Sequence, residues 1–261
     1  MAEKKPPVIE TAVIAWRDAL RAIEVMPVVA GVAFVLYLVM SLAILAINAN
    51  PYALVGSPWL PIIAIGASIV QAVLLAPLAI AVHRFVLLGE KTNRYPLEPK
   101  SSRYLRFVGF AILIKILWLI PSTIQALIPG AKDSPALAAG LGIVVLVLFI
   151  TVIIIVVRRA ILFPAIAIDA PGATWSKAGL DTKGSSWRVA FIFVLTALPI
   201  LVIDVPLYWL LLRPQAQPST GSWLFFSVIA AVVGVPALSA FAAAASHIYR
   251  ARADVMTRPS G

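Results

Sequence analysis

The chain has 261 residues, 62% of them hydrophobic and 12% charged, against roughly half and a quarter in soluble domains, so a water-soluble globular fold is excluded. A formal charge of +10 would suit nucleic acid in a soluble protein, but here the basic residues flank apolar runs, and the partner they fit is the anionic headgroup layer of a bilayer, not nucleic acid. The absence of cysteine excludes disulfides, thiolate metal sites and thiol nucleophiles.

Residues 1–26 precede the first apolar run. Ile9, Val13, Trp16, Leu20 and Ile23 recur at helical spacing, while Glu10, Arg17, Arg21 and Glu24 fall mainly on the other face, which predicts an amphipathic helix. Two placements are open: in the inner headgroup boundary with Trp16 as its anchor, or docked on the cytoplasmic ends of the bundle. The mixed charge of this segment, without a short apolar region and small-residue cleavage site, predicts that no signal peptide is removed from it. Pro27 marks a change of direction into the first span.

About 20 mostly apolar residues cross a hydrocarbon core of roughly 30 Å. Such runs occupy 27–47, 60–83, 104–128, 137–157, 189–212 and 223–246, and because their apolar character is continuous they are helices and not barrel strands. The predicted fold is all-α: a polytopic bundle over 27–252 with about six transmembrane helices, one or two interfacial helices, and a cytoplasmic tail over 253–261. The loop over 89–102, with Pro96 and Pro99, reads as an ordered turn. The stretch 158–188 is broken by Pro164, Pro171 and Gly172, and Thr174 leads into a short second interfacial helix over 175–182 with Lys177 and Asp181 four apart.

Orientation follows from the basic residues. Eighteen of the 21 Lys and Arg fall in the N-terminal segment, the second and fourth connections and the C-terminal tail, against Lys132 and Arg213 on the other side and Lys115 within a span. This places both termini in the cytoplasm. Trp and Tyr prefer membrane boundaries, and Tyr52, Trp59, Tyr208, Trp209 and Trp223 fall at predicted outer ends, with Tyr104, Trp187 and Tyr249 at inner ones.

The stretches AVHRFVLLGE (81–90) and LFPAIAIDAPGATWSKAGLDTKGSSWRV (162–189) resemble a broad group of bacterial six-span proteins. These are similar to the membrane domain attached to some glycerophosphodiester phosphodiesterases. The resemblance implies a bacterial inner-membrane protein linked to envelope homeostasis. It implies no phosphodiesterase activity, because no catalytic domain accompanies the spans.

Ionisable residues inside a membrane face a bundle interior or a water-filled cavity. Lys115 lies roughly 13 Å beyond Arg106 along its helix and leans toward the cytoplasmic face, so it reads either as a snorkelling or structurally paired lysine or as part of an intramembrane polar site. Asp204 lies between Pro199 and Pro206, where the helix either opens beside a polar cavity or ends near Ile203 and leaves the carboxylate wet. Their different depths argue against a direct ion pair. Gln71, Gln125 and Thr151 are candidates for helix–helix hydrogen bonds, and Gln71 and Gln125 join Lys115 and Asp204 as the candidate polar site; small residues such as Ala72, Ala76, Ala240 and Ala244 permit close packing. Arg17, Arg21, Arg84, Arg103, Arg106, Arg158, Arg159, Arg188 and Arg250 are candidate contacts for anionic headgroups. His83 and His247 read as interfacial histidines, since a metal would need a third ligand from distant Glu90 or Asp169, and no cofactor or metal is predicted.

No HExxH, phosphate loop or nucleophile elbow is present. The sequence thus predicts a non-enzymatic membrane protein, a scaffold, accessory subunit or lipid-interacting factor whose partners are lipids, another membrane protein or further copies of itself. The alternative is a transporter or channel-like protein for a small solute or lipid that uses Lys115 and Asp204.

Overall fold

A computed structural model describes residues 7–48, 59–125, 128, 134–211, 220–254 and 256–257. Among these the chain is helical, without strands: α1 (Val8–Val25), α2 (Pro27–Asn48), α3 (Trp59–Leu88), α4 (Ser102–Gln125), α5 (Pro135–Arg159), α6 (Leu162–Ala167), α7 (Trp175–Asp181), α8 (Ser186–Leu211) and α9 (Thr220–Arg252). Six of them, α2, α3, α4, α5, α8 and α9, are long and apolar enough to cross a membrane. The chain is a multi-pass membrane protein built as an all-α bundle.

Local chemistry sets the helix limits. Pro27 and Pro135 stand at helix starts, where a missing N–H loses nothing. Gly89, at φ 72°, takes the left-handed conformation that ends α3, and its N–H donates to Phe85 O at 2.9 Å. The prolines inside α3, α4, α8 and α9 each remove one backbone bond without stopping the helix. Span five is therefore one helix: α8 runs through Asp204 and Pro206 to Leu211, neither opened beside Asp204 nor ended near Ile203. Tyr52 lies outside the described residues, as does the outer connection holding Lys132.

The six long helices close a ring in the order α2, α3, α4, α5, α8, α9, and α9 also crosses inward to touch α3. Most of the buried core lies toward the basic end, where α3 contributes Leu75 to Val82, α4 contributes Tyr104, Phe107 and Phe110, and α9 contributes Ala242 to Ala244 and Ile248. Toward the other end the helices separate. In α8 all six residues from 201 to 206 are exposed, and six successive positions cover every face of a helix.

α1 packs against α9 and α8, and which face it uses is informative. Ala12, Ala15, Ala19 and Ala22 are buried, while Ile9 and Val13 are 72% and 62% exposed. Small side chains let two backbones approach closely, and α9 answers with buried Ala240, Ala243 and Ala244. Trp16 does not anchor in headgroups; its Nε1–H donates to Thr196 O at 3.0 Å, ten residues and roughly 15 Å into α8. α1 is thus docked on the bundle against α8 and α9, and its bulky apolar residues Ile9, Val13 and Leu20 face away from it.

Candidate ligand chamber

The separation of the helices leaves a chamber of about 650 Å³ enclosed by α2, α3, α4, α5, α8 and α9 together with Phe163 of α6. Its wall is largely Ala, Val, Leu, Ile and Phe. Into it project Tyr37 of α2, Gln71 and His83 of α3, Lys115 of α4 and Asp204 of α8. Three of the four residues expected to form an intramembrane polar site therefore meet in one cavity. The fourth, Gln125, lies exposed at the far end of α4 and does not line the chamber. Thr151 is also displaced from its expected role: its hydroxyl donates to Val147 O of its own helix at 2.8 Å.

Depth can be read from helix register. His83 is five residues from the basic end of α3, or roughly 8 Å, whereas Lys115 is thirteen residues into α4 and Asp204 eighteen into α8, or roughly 20 and 27 Å. Among the described residues Lys115 and Asp204 make neither an ion pair with each other nor one with a third group. Each lines the chamber and is exposed.

Toward the basic end the chamber is lined by aromatic rings and a hydrogen-bonded pair. Phe107 packs on Phe163 at 4.9 Å between centroids, and Phe110 packs on Phe163 at 4.5 Å and on Trp175 at 5.7 Å. His83, 2% exposed, is not interfacial; its Nδ1 lies 2.8 Å from Ser246 Oγ. The Ser246 hydroxyl also lies 3.0 Å from Ala242 O, so the pair joins the His83 ring of α3 to α9. The interior of α9 carries small residues here for a steric reason as well: a Cβ on Gly234 would lie 2.4 Å from Tyr37 Cζ.

The basic end uses many of its arginines internally. Arg84 pairs with Glu90 at 2.6 and 2.7 Å and donates to Ala167 O at 2.9 Å, and Arg103 pairs with Asp169 at 2.6 Å. Asp169 takes a left-handed backbone at φ 54°, which Asp tolerates, to present that carboxylate. Arg106 donates to Ala173 O, Arg158 to Gly179 O and Arg250 to Val86 O. Arg159 lies over the Trp175 ring at 5.0 Å and occupies the space a Cβ on Gly179 would need. Trp175 and α7 are thus docked on the bundle. Arg17, Arg21 and Arg188 remain exposed and outward.

Two residues emerge here that composition did not single out. Met256, fully buried, gives its N–H to Asp181 Oδ2 at 3.1 Å and takes the Gly172 N–H at 3.1 Å, so the segment after α9 is clasped onto the loop around α7. Gly172 is required by that clasp, because a Cβ would lie 2.6 Å from Met256 O. Asp18 pairs with His247 at 2.9 Å and ties α1 to α9. Among the described residues no group of three His, Asp or Glu side chains could hold a metal ion. No protein-family model, curated protein or solved structure matches the chain.

Proposed function

We propose that this chain is a multi-pass bacterial inner-membrane protein, with both termini in the cytoplasm, that holds a lipid-like amphiphile in its chamber and serves as a lipid-interacting factor of the envelope without catalysing a reaction. One observation carries the reading: Lys115, Gln71 and Asp204, from three different helices, line a single chamber whose remaining wall is apolar. Polar and charged groups at membrane depth are expensive to keep and mark binding sites or conduction paths. A volume of about 650 Å³ lies within the roughly 300–1,000 Å³ of small-molecule sites, which are likewise mostly apolar with a few placed polar groups. The resemblance of 81–90 and 162–189 to bacterial six-span proteins linked to envelope homeostasis fits the same reading.

Mild extraction followed by mass spectrometry of bound lipids tests it. The expected result is about one amphiphile per chain, displaced when Ala72→Trp or Ala111→Trp fills the chamber from either of two helices. A chain that co-purifies stoichiometrically with a protein and retains no lipid would overturn it in favour of a scaffold.

A carrier is the second reading, favoured by charged side chains on two helices lining a chamber whose aromatic rings gather toward the basic end. The cysteine-free chain allows single-cysteine labelling at Ala79 and Ala245 toward the basic end of the chamber. Labelling from the basic side in intact vesicles supports a carrier, and labelling from the opposite side alone removes it.

A further inference from the structure

We infer that the chamber takes a single-chain zwitterionic amphiphile, with its alkyl chain on the apolar wall toward the basic end and its head between Lys115 and Asp204. This inference rests on the chamber being a ligand site, and it names the ligand class. Size comes first. At about 30 Å³ per non-hydrogen atom, the share of one water in the liquid, 650 Å³ accommodates about 22 atoms. That is one chain of about a dozen carbons with a small head, and too few for a two-chain phospholipid.

The wall then sets the polarity. Between the levels of His83 and Lys115 it is formed by residues such as Ala76, Ala111, Ile153 and Phe193, and the polar tip of His83 Nδ1 is already engaged by Ser246. An alkyl chain is the occupant that such a wall solvates. Lys115, Gln71 and Asp204 lie farther from the basic end and are the polar groups at that level, so the head belongs there.

Charge decides the head. A purely anionic head at Lys115 would meet Asp204 in the same chamber, and a purely cationic head at Asp204 would meet Lys115. The two side chains are staggered by roughly 7 Å along the bundle and are not in ion-pair contact with each other, so a head carrying both signs satisfies both at once. Gln71, near the Asp204 level, supplies a donor and an acceptor to either half of the head.

The test is equilibrium binding to the full chain in nanodiscs of four probes with 12-carbon chains: the single-chain alkylphosphocholine, the fatty acid, the alkylamine and a two-chain phosphocholine. The alkylphosphocholine is expected to bind at least tenfold more tightly than each of the others. Lys115→Gln should weaken it about tenfold while improving the alkylamine, and Asp204→Asn should weaken it similarly while improving the fatty acid. A merely structural role for either residue would shift all four probes together. Equal binding of the three single-chain probes, insensitive to both substitutions but abolished by Ala72→Trp, overturns the head assignment and leaves the chamber as a ligand site. Binding unaffected by Ala72→Trp and Ala111→Trp overturns both. Melting temperatures of each variant separate lost binding from lost fold.

Discussion

Gly234→Ala should destabilise the bundle despite being a favourable change for an isolated helix. The new Cβ would lie 2.4 Å from Tyr37 Cζ, 2.5 Å from Cε2 and 2.7 Å from Oη, whereas ordinary carbon contacts begin near 3.5 Å, so the ring must move by about 1 Å. A tyrosine ring has no flexible end to bend away, and overpacking of this kind costs about 1–3 kcal/mol. Opposing it, Gly to Ala in a helix interior gains about 1 kcal/mol. The net expected loss is about 0–2 kcal/mol, read as the midpoint of reversible SDS unfolding in mixed micelles. Tyr37→Ala supplies the control, because with the ring gone only the helix gain remains. On that background Gly234→Ala should be neutral or stabilising, giving a coupling of about 1–3 kcal/mol. If Gly234→Ala is equally harmful with and without the Tyr37 ring, the close approach is not why glycine stands there.

Other contacts yield further expectations. Removing the Asp18 carboxylate as Asp18→Ala strips a charge-assisted contact from His247 and should weaken α1 docking by about 1–2 kcal/mol, seen as faster proteolysis in α1 while the rest of the bundle stays protected. Unchanged protection would show that the alanine face of α1 suffices. Asp181→Ala should free residues 253–257 to carboxypeptidase, since Met256 N–H loses its acceptor; Asp181→Asn, which keeps an oxygen there, should restore much of the protection. Tyr95, outside the spans, donates to Leu74 O at 2.5 Å, and burial pushes its phenol well above the ordinary value near 10. The folded state therefore keeps this proton where the unfolded chain releases it, so stability is full below about pH 10 and falls as pH rises further. Tyr95→Phe should flatten that alkaline decline, measured as melting temperature against pH from 8 to 11, and an unchanged slope would assign the decline to other groups.

The six long helices and the basic and apolar ends of the chain follow from sequence alone because each rests on a local rule. A continuous apolar run long enough for a bilayer has one low-energy conformation there, and its length is written in the residues. Lys115 and Asp204 are conspicuous for the same reason, as charges where charges are expensive. That they and Gln71 share one chamber while Gln125 does not depends on how α4 and α8 rotate in the ring, which is set by packing between helices far apart in the chain. The apolar stripe of α1 suggested its buried face, yet the alanine stripe won, because close backbone approach to the small residues of α9 is available only once α9 is in place. Likewise the arginine count marked the basic end, but tertiary structure alone decided which guanidiniums staple the loops around α6 and α7 and which remain outward. Local hydrophobicity determined what crosses the membrane; the long-range fit of helix faces determined where it leaves room.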